Sequence, residues 1–184
     1  MYALDFTLEI HTERLVLRLP RVEDLDEWSD FCADPHAMRF LGGAKSRNMT
    51  WREMMSITGA WGLLGASMFS VVERATGAWV GRIGPWFPAD WPGTEVAYGI
   101  ASAFEGRGYA TEAATAAIDY AVDTLGWTHV IHTIDPANAG SIAVARRLGA
   151  RNEGPTRLPA PYDEVRVDAW GQSADDWRAW RAAR

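Results

Sequence analysis

FEGRGYATEA, residues 104–113, places Gly106 and Gly108 on either side of Arg107 and then passes directly into a segment of helical character. Upstream, Val96, Tyr98 and Ile100 alternate with Glu95, Ala97 and Gly99, the period-two pattern of a strand. A strand, a glycine turn and a helix beginning at about Tyr109 or Thr111 thus follow one another. The first N–H groups of such a helix lack intrahelical partners and lie at the positive end of its dipole, so an anion there is stabilised. Glycine lets that anion come close to the backbone. The same residues also suit an ordinary tight turn, and the stretch alone does not separate the two readings. Two nucleotide motifs are disfavoured by the frame. The dinucleotide fingerprint needs a third glycine where Thr111 stands, and G-x-x-x-x-G-K-[ST] occurs nowhere in the chain.

Downstream of the turn, Ile118, Ala121, Val122 and Leu125 share one helical face up to Gly126. WTHVIHTI reads as a strand and DPANAGS as a loop with Asn138 and Ser141 as candidate caps. Ile142, Ala145 and Leu148 carry a short helix ended by Gly149, and EVRVDAW, with Val165, Val167 and Ala169 alternating, is the last strand. Upstream, Phe6, Leu8 and Ile10 alternate, and a core strand spans about 13 to 19, ending at Pro20. Leu25, Trp28, Phe31 and Cys32 form a helical face after Glu23 and Asp24, whose charges favour a helix start, and that helix ends before Pro35. Thr50 with Glu53 reads as a capping box opening a second helix, with Trp51, Met54, Ile57 and Trp61 on one face. Residues 36–49 read as a mobile connection. Ser67 to Arg74 and Ala78 to Ile83 form a hairpin around Ala75, Thr76 and Gly77, after which WFPADWPG interrupts the pattern. The order is one strand, two helices, a meander, then strand-helix-strand-helix-strand: a mixed α/β layer forming one domain over residues 1–184.

An apolar share of 48% in 184 residues suffices for one sizeable core. No apolar run approaches the roughly 18 residues that cross a bilayer, and acidic residues stand where a secretory signal would be basic. A soluble cytoplasmic protein without membrane contact is expected. Cys32 is the only cysteine, which excludes an internal disulfide and a cysteine-based zinc site, and His11, His36, His129 and His132 lack ligand spacing. A net charge of -6 opposes a nucleic-acid partner and suits a cationic amine. Of ten tryptophans, Trp86, Trp91, Trp177 and Trp180 lie in loops or near the C-terminus, where they read as lining a pocket or an interface such as that of a homodimer.

AYGIASAFEGRGYATEA, followed about thirty residues later by NAGSIAVARRLGA, resembles the Gcn5-related N-acetyltransferase (GNAT) superfamily, in particular its branch acting on ribosomal-protein N-termini. The matching frame is Glu105, Gly106, Arg107, Gly108, Tyr109 and Ala110 for the [QR]-x-x-G-x-[GA] loop, then Asn138, Ser141, Leu148 and Gly149. The opening TERLVLRLPRVEDLDEW is similar to that branch as well, so the resemblance covers nearly the whole chain. It implies a mixed, mostly antiparallel central sheet flanked by helices, with strands splayed at an acetyl-CoA site. Backbone N–H groups from Arg107 to Thr111 would hold the coenzyme's pyrophosphate, with Arg107 adding charge at the rim. The backbone of Ile100, Ala101 and Ser102 would pair with the pantetheine arm like an added strand and offer an N–H to the thioester oxygen. Asn138 and Ser141 would contact the arm's other side, or cap a helix, or both.

The implied reaction is acetyl transfer to a primary amine, on a protein N-terminus or a small molecule, by direct attack in a ternary complex. The amine must be neutral to attack, and Glu95, opposite Val96 on its strand, is the candidate base. A solvated strand glutamate is the plain alternative. Asp163 and Glu164 are further carboxylates near the acceptor side. Two positions depart from the family pattern: Glu105 puts a negative charge where glutamine or arginine is usual, and Ala145 replaces the tyrosine that protonates the thiolate. Tyr98, Tyr162 or water remain as acids, and none is assigned. The rival reading is a noncatalytic acyl-CoA-binding regulatory module.

Overall fold

The computed structural model describes residues 7–184, so Phe6 of the first alternation lies outside the described residues. The chain forms β1 (Glu9–His11), β2 (Leu15–Arg18), α1 (Leu25–Ala33), α2 (Pro35–Met38), α3 (Arg47–Leu64), β3 (Phe69–Glu73), β4 (Trp79–Trp86) and β5 (Glu95–Ile100). There follow α4 (Tyr109–Asp119), β6 (His129–Ile134), α5 (Ala139–Arg147), β7 (Arg151–Thr156), β8 (Val167–Ser173) and α6 (Ala174–Ala182). The strands make one eight-stranded sheet in the order β1-β2-β3-β4-β5-β6-β8-β7. Each neighbouring pair is antiparallel apart from β5 and β6.

Alternation divides the core between the two sheet faces. Leu15, Leu17, Val71, Val80 and Val96 pack with Ala113, Ala117 and Ile118 of α4 and with Trp177 of α6. Ala97, one residue on from Val96, joins Trp28, Phe31, Met54, Ile57 and Trp79 beneath α1 and α3. Glu95 and Gly99 share the parity of Ala97, so Glu95 stands on the α1–α3 side.

Several local expectations are corrected by tertiary packing. Helix α3 starts at Arg47 with Ser46 preceding it, and Thr50 is buried inside, donating to the Ser46 carbonyl at 3.2 Å instead of capping. Glu53 is drawn from the expected capping box to Lys45 and to Arg82, the latter at 3.0 Å. Trp51 turns outward, leaving Thr50, Met54, Ile57 and Trp61 as the buried stripe. Residues 36–49 are not a bare connection: Pro35 opens α2, where its missing N–H costs nothing, and Asp34 accepts from the His36 N–H at 2.8 Å. Arg151–Thr156 escapes periodicity because it is an edge strand, largely exposed, carrying Gly154 and Pro155. The last inner strand begins at Val167, leaving Val165 41% exposed. Helix α6 had a readable signal, Ser173 accepting from Asp176 N–H at 3.0 Å. It makes Trp177 a core residue that donates to Asp119 at 2.9 Å, with Trp180 stacked on it. Trp177 is 1% exposed, which removes the basis for reading it as a pocket or interface residue, whereas Trp180 is half-buried.

Asp24, expected only to favour a helix start, is buried and fastens α1 to the sheet. Its carboxylate accepts from Arg18 at 2.6 and 2.8 Å, from Ser70 at 2.6 Å and from the Arg21 N–H at 2.9 Å. Burial alone would raise its pKa, but these donors outweigh it and hold the carboxyl below its usual value. Asp24→Asn is expected to cost about 3 kcal/mol in urea unfolding, because Arg18 is left buried without its counter-charge. In the native chain this contribution is present above the unfolded carboxyl's pKa and disappears as pH falls through the lowered value.

Candidate active site

Strands β5 and β6 run parallel but share the single pairing Glu95 with Ile131, where the Ile131 N–H reaches the Thr94 carbonyl at 3.0 Å. A continued parallel ladder would next join the Thr133 N–H to the Val96 carbonyl. Instead the strands part, and each of those groups is met by a side chain. Glu95 Oε1 accepts from the Thr133 N–H at 3.1 Å, and the His132 ring donates through Nδ1 to the Val96 carbonyl at 2.7 Å. Glu95 Oε2 also accepts from Thr133 Oγ1 at 2.8 Å and from Trp91 Nε1 at 2.6 Å. Glu95 is only 5% exposed, so it is not a solvated strand residue. Burial pushes its carboxyl up to about 7, although the three donors oppose the shift. Burial lowers His132 to about 4, and the imidazole is neutral with its hydrogen on Nδ1.

The splay exposes a strand edge. Ala101 N–H is bonded to the Val80 carbonyl at 2.9 Å, which fixes the parity of β5. The backbone groups of Tyr98 and Ile100 accordingly face the β6 side, where no strand continues. This corrects the expectation for Ala101, whose N–H is already taken, and for Ser102, which lies in a 3-10 turn with its hydroxyl on Asp34. Neither borders the cleft that opens from the splay.

That cleft, of about 970 Å³, brings together Ile100, the whole stretch from Glu105 to Thr111, Asn138 and Ser141. Gly106 and Gly108 have φ of 75° and 81°, left-handed values that side chains rarely adopt, and α4 begins immediately after them. The first N–H groups of α4 are the orphan donors of a helix start, and Arg39, Arg107 and Arg147 stand around the same cleft. Glu105 turns its carboxylate to His36 Nε2, 3.2 Å away on α2, while the Arg107 guanidinium sits 5.1 Å over Phe104. Asn138 Oδ1 caps α5 by accepting from the Ser141 N–H at 3.1 Å, and the Ser141 carbonyl accepts from the Tyr98 hydroxyl at 3.1 Å. Capping and lining the cleft coexist at these positions. Ala145 is fully buried against Ile134, Ala150 and Trp170, off the cleft wall. Glu95 likewise does not border this cleft. It stands on the other sheet face, at the base of the same splay. Asp163 lies 3.8 Å from Arg157 at the surface, and Glu164 is exposed. His36, Trp91, Thr133 and His132 carried no local signal for these roles.

A donor-lined helix start, three arginines and an unpaired strand edge fit the pyrophosphate and amide-bearing arm of acetyl-CoA. Among the described residues no group of three metal-binding side chains occurs, and no helix is long and apolar enough to cross a membrane.

Residues 14–151 match the acetyltransferase (GNAT) domain family. The chain is 26% identical over 148 residues to the uncharacterized N-acetyltransferase p20 of Bacillus licheniformis, covering 79% of this chain and 83% of that protein. It superimposes on an acetyltransferase from Agrobacterium tumefaciens with a TM-score of 0.78 at 29% identity, covering 94% of this chain and 98% of the other. The fold is shared with ribosomal-protein-S5-alanine acetyltransferase from Vibrio fischeri, with a TM-score of 0.73, 18% identity and coverage of 92% and 98%. The chain is thus an acetyl-CoA-dependent acyltransferase and belongs to the GNAT family.

Proposed function

We propose that the chain acetylates a primary amine, on a protein N-terminus or a small molecule, by direct attack in a ternary complex in the cytoplasm. The observation that carries this reading is the shared splay: a coenzyme-sized cleft opens on one side of it, and the buried carboxylate of Glu95 stands at its base on the other. Acetyl-CoA, when bound, supplies an acetyl group activated as a thioester, whose C–S bond breaks as the amine nitrogen bonds to the carbonyl carbon. The N–H groups from Gly108 to Thr111 take the pyrophosphate, with Arg107 at the rim. The backbone edge at Tyr98 and Ile100 holds the arm and offers an N–H where negative charge grows on the carbonyl oxygen. Glu95, ionised above about pH 7, takes the ammonium proton through water by the lone pair that Oε1 keeps free. With Ala145 off the cleft wall, α5 offers no phenol to protonate the thiolate.

The acceptor enters along α1 to α3, between the paired rings of Trp86 and Trp91 and the segment 157–166, whose Tyr162 packs against Gly42. The likeness to a ribosomal-protein acetyltransferase favours a protein N-terminus. The test is thiol release from acetyl-CoA with a panel of peptides and amines, expected to saturate with one acceptor class. Saturable coenzyme binding without release on any acceptor would favour a noncatalytic binding module, and no coenzyme binding would overturn both readings. Glu105→Gln is expected to tighten coenzyme A binding by about threefold at low salt, since it removes a half-exposed, screened anion near the pyrophosphate. Calorimetric titration at two salt concentrations checks this.

A further inference from the structure

The carboxylate of Glu112, in the first turn of α4, is saturated by residues from the β1–β2 corner. It accepts from Thr12 Oγ1 at 2.6 Å and from the Arg14 N–H at 2.8 Å, and it forms a two-pronged pair with Arg14 through Nε at 2.7 Å and Nη2 at 2.6 Å. The corner is itself anchored, because the Arg74 N–H bonds to the Arg14 carbonyl at 2.9 Å and its side chain bonds to the carbonyls of Thr12 and Glu13. Arg14 has one arm left, and Nη1 donates it to the carbonyl of Arg107 at 2.9 Å. Its guanidinium also covers the Tyr109 ring at 4.6 Å. Arg14 does not border the coenzyme cleft, whereas Arg107 and Gly108 do.

In a trans peptide the C=O and N–H point in opposite directions. A carbonyl of Arg107 drawn backward to Arg14 therefore aims the N–H of Gly108 forward, into the cleft. We infer that Arg14, locked by Glu112, is a positioning residue that sets the 107–108 peptide so that the glycine loop presents its donor to the coenzyme's pyrophosphate. The inference rests on the coenzyme reading above. Lysine cannot replace this arginine, because one ammonium cannot hold the two-pronged carboxylate and the carbonyl together in a fixed plane.

The experiment compares wild type, Arg14→Lys and Arg14→Gln in coenzyme A binding by calorimetry and in acetyl transfer from acetyl-pantetheine, which lacks the pyrophosphate, with thermal unfolding alongside. Arg14→Lys is expected to weaken coenzyme A about tenfold, the scale of one charge-assisted hydrogen bond. Transfer from acetyl-pantetheine should stay at the wild-type rate. Wild-type affinity in Arg14→Lys and Arg14→Gln overturns the inference alone, and so does an equal loss for both acetyl donors, which would mark general damage to the site. Wild-type protein that does not bind coenzyme A overturns the coenzyme reading and this inference with it.

Discussion

Glu95→Gln should lower kcat by about a hundredfold or more, the usual contribution of a positioned general base. Glutamine keeps the shape and can still accept from the Thr133 N–H, but its amide hydrogens face Trp91 Nε1 and Thr133 Oγ1, and it cannot take a proton. The pH dependence separates catalysis from plain splay filling. A base whose pKa is raised to about 7 must be ionised to act, so wild-type kcat/KM should climb tenfold per unit of pH below 7 and level off above it. In the variant this limb should vanish. A variant whose kcat falls while the same limb persists would remove Glu95 from the reaction and leave it as a plug between the strands. Stability has the opposite sign. The unfolded carboxyl ionises near its ordinary 4.5 and the folded one near 7, so the native chain binds the extra proton between them and loses stability as pH rises through that window. Glu95→Gln should flatten this slope, which chemical unfolding at several pH values measures.

Gly108→Val should weaken coenzyme A about thirtyfold. At φ 81° an L side chain is strained, by roughly 1–2 kcal/mol even for unbranched residues and more for a β-branched one. A Cβ there would also stand 3.4 Å from Arg14 Nη2. The loop relieves this by leaving the left-handed region, which turns the N–H of Gly108 out of the cleft before any ligand arrives. Gly106→Ala is the milder comparison, since φ is 75° but a Cβ there meets nothing within 4 Å, so a loss of about tenfold is expected. Calorimetry on both variants, with thermal unfolding to confirm the fold, gives the order. Equal affinity of Gly108→Val and wild type would mean that the loop backbone does not hold the coenzyme.

Much of this could be read along the chain because it is local. The alternation of β5, the two glycines before α4 and the Asn138 cap of α5 are each decided within a few residues, by φ, by unpaired helix-end groups and by side-chain period. Glu53 misled for the complementary reason: its local pattern is sound, but Lys45 and Arg82 lie off its helix and redirect its carboxylate, much as Ser70 and Arg18 claim that of Asp24. Tertiary structure alone decided that Glu95 is buried, since Thr133 lies 38 residues on and meets it only because β5 and β6 part. It alone turned Glu105 toward His36, 69 residues away, and bound Arg14 to Glu112, 98 residues apart. The reason is physical: backbone conformation follows from neighbours in sequence, whereas the environment of a charge depends on which distant donors folding brings within 3 Å of it.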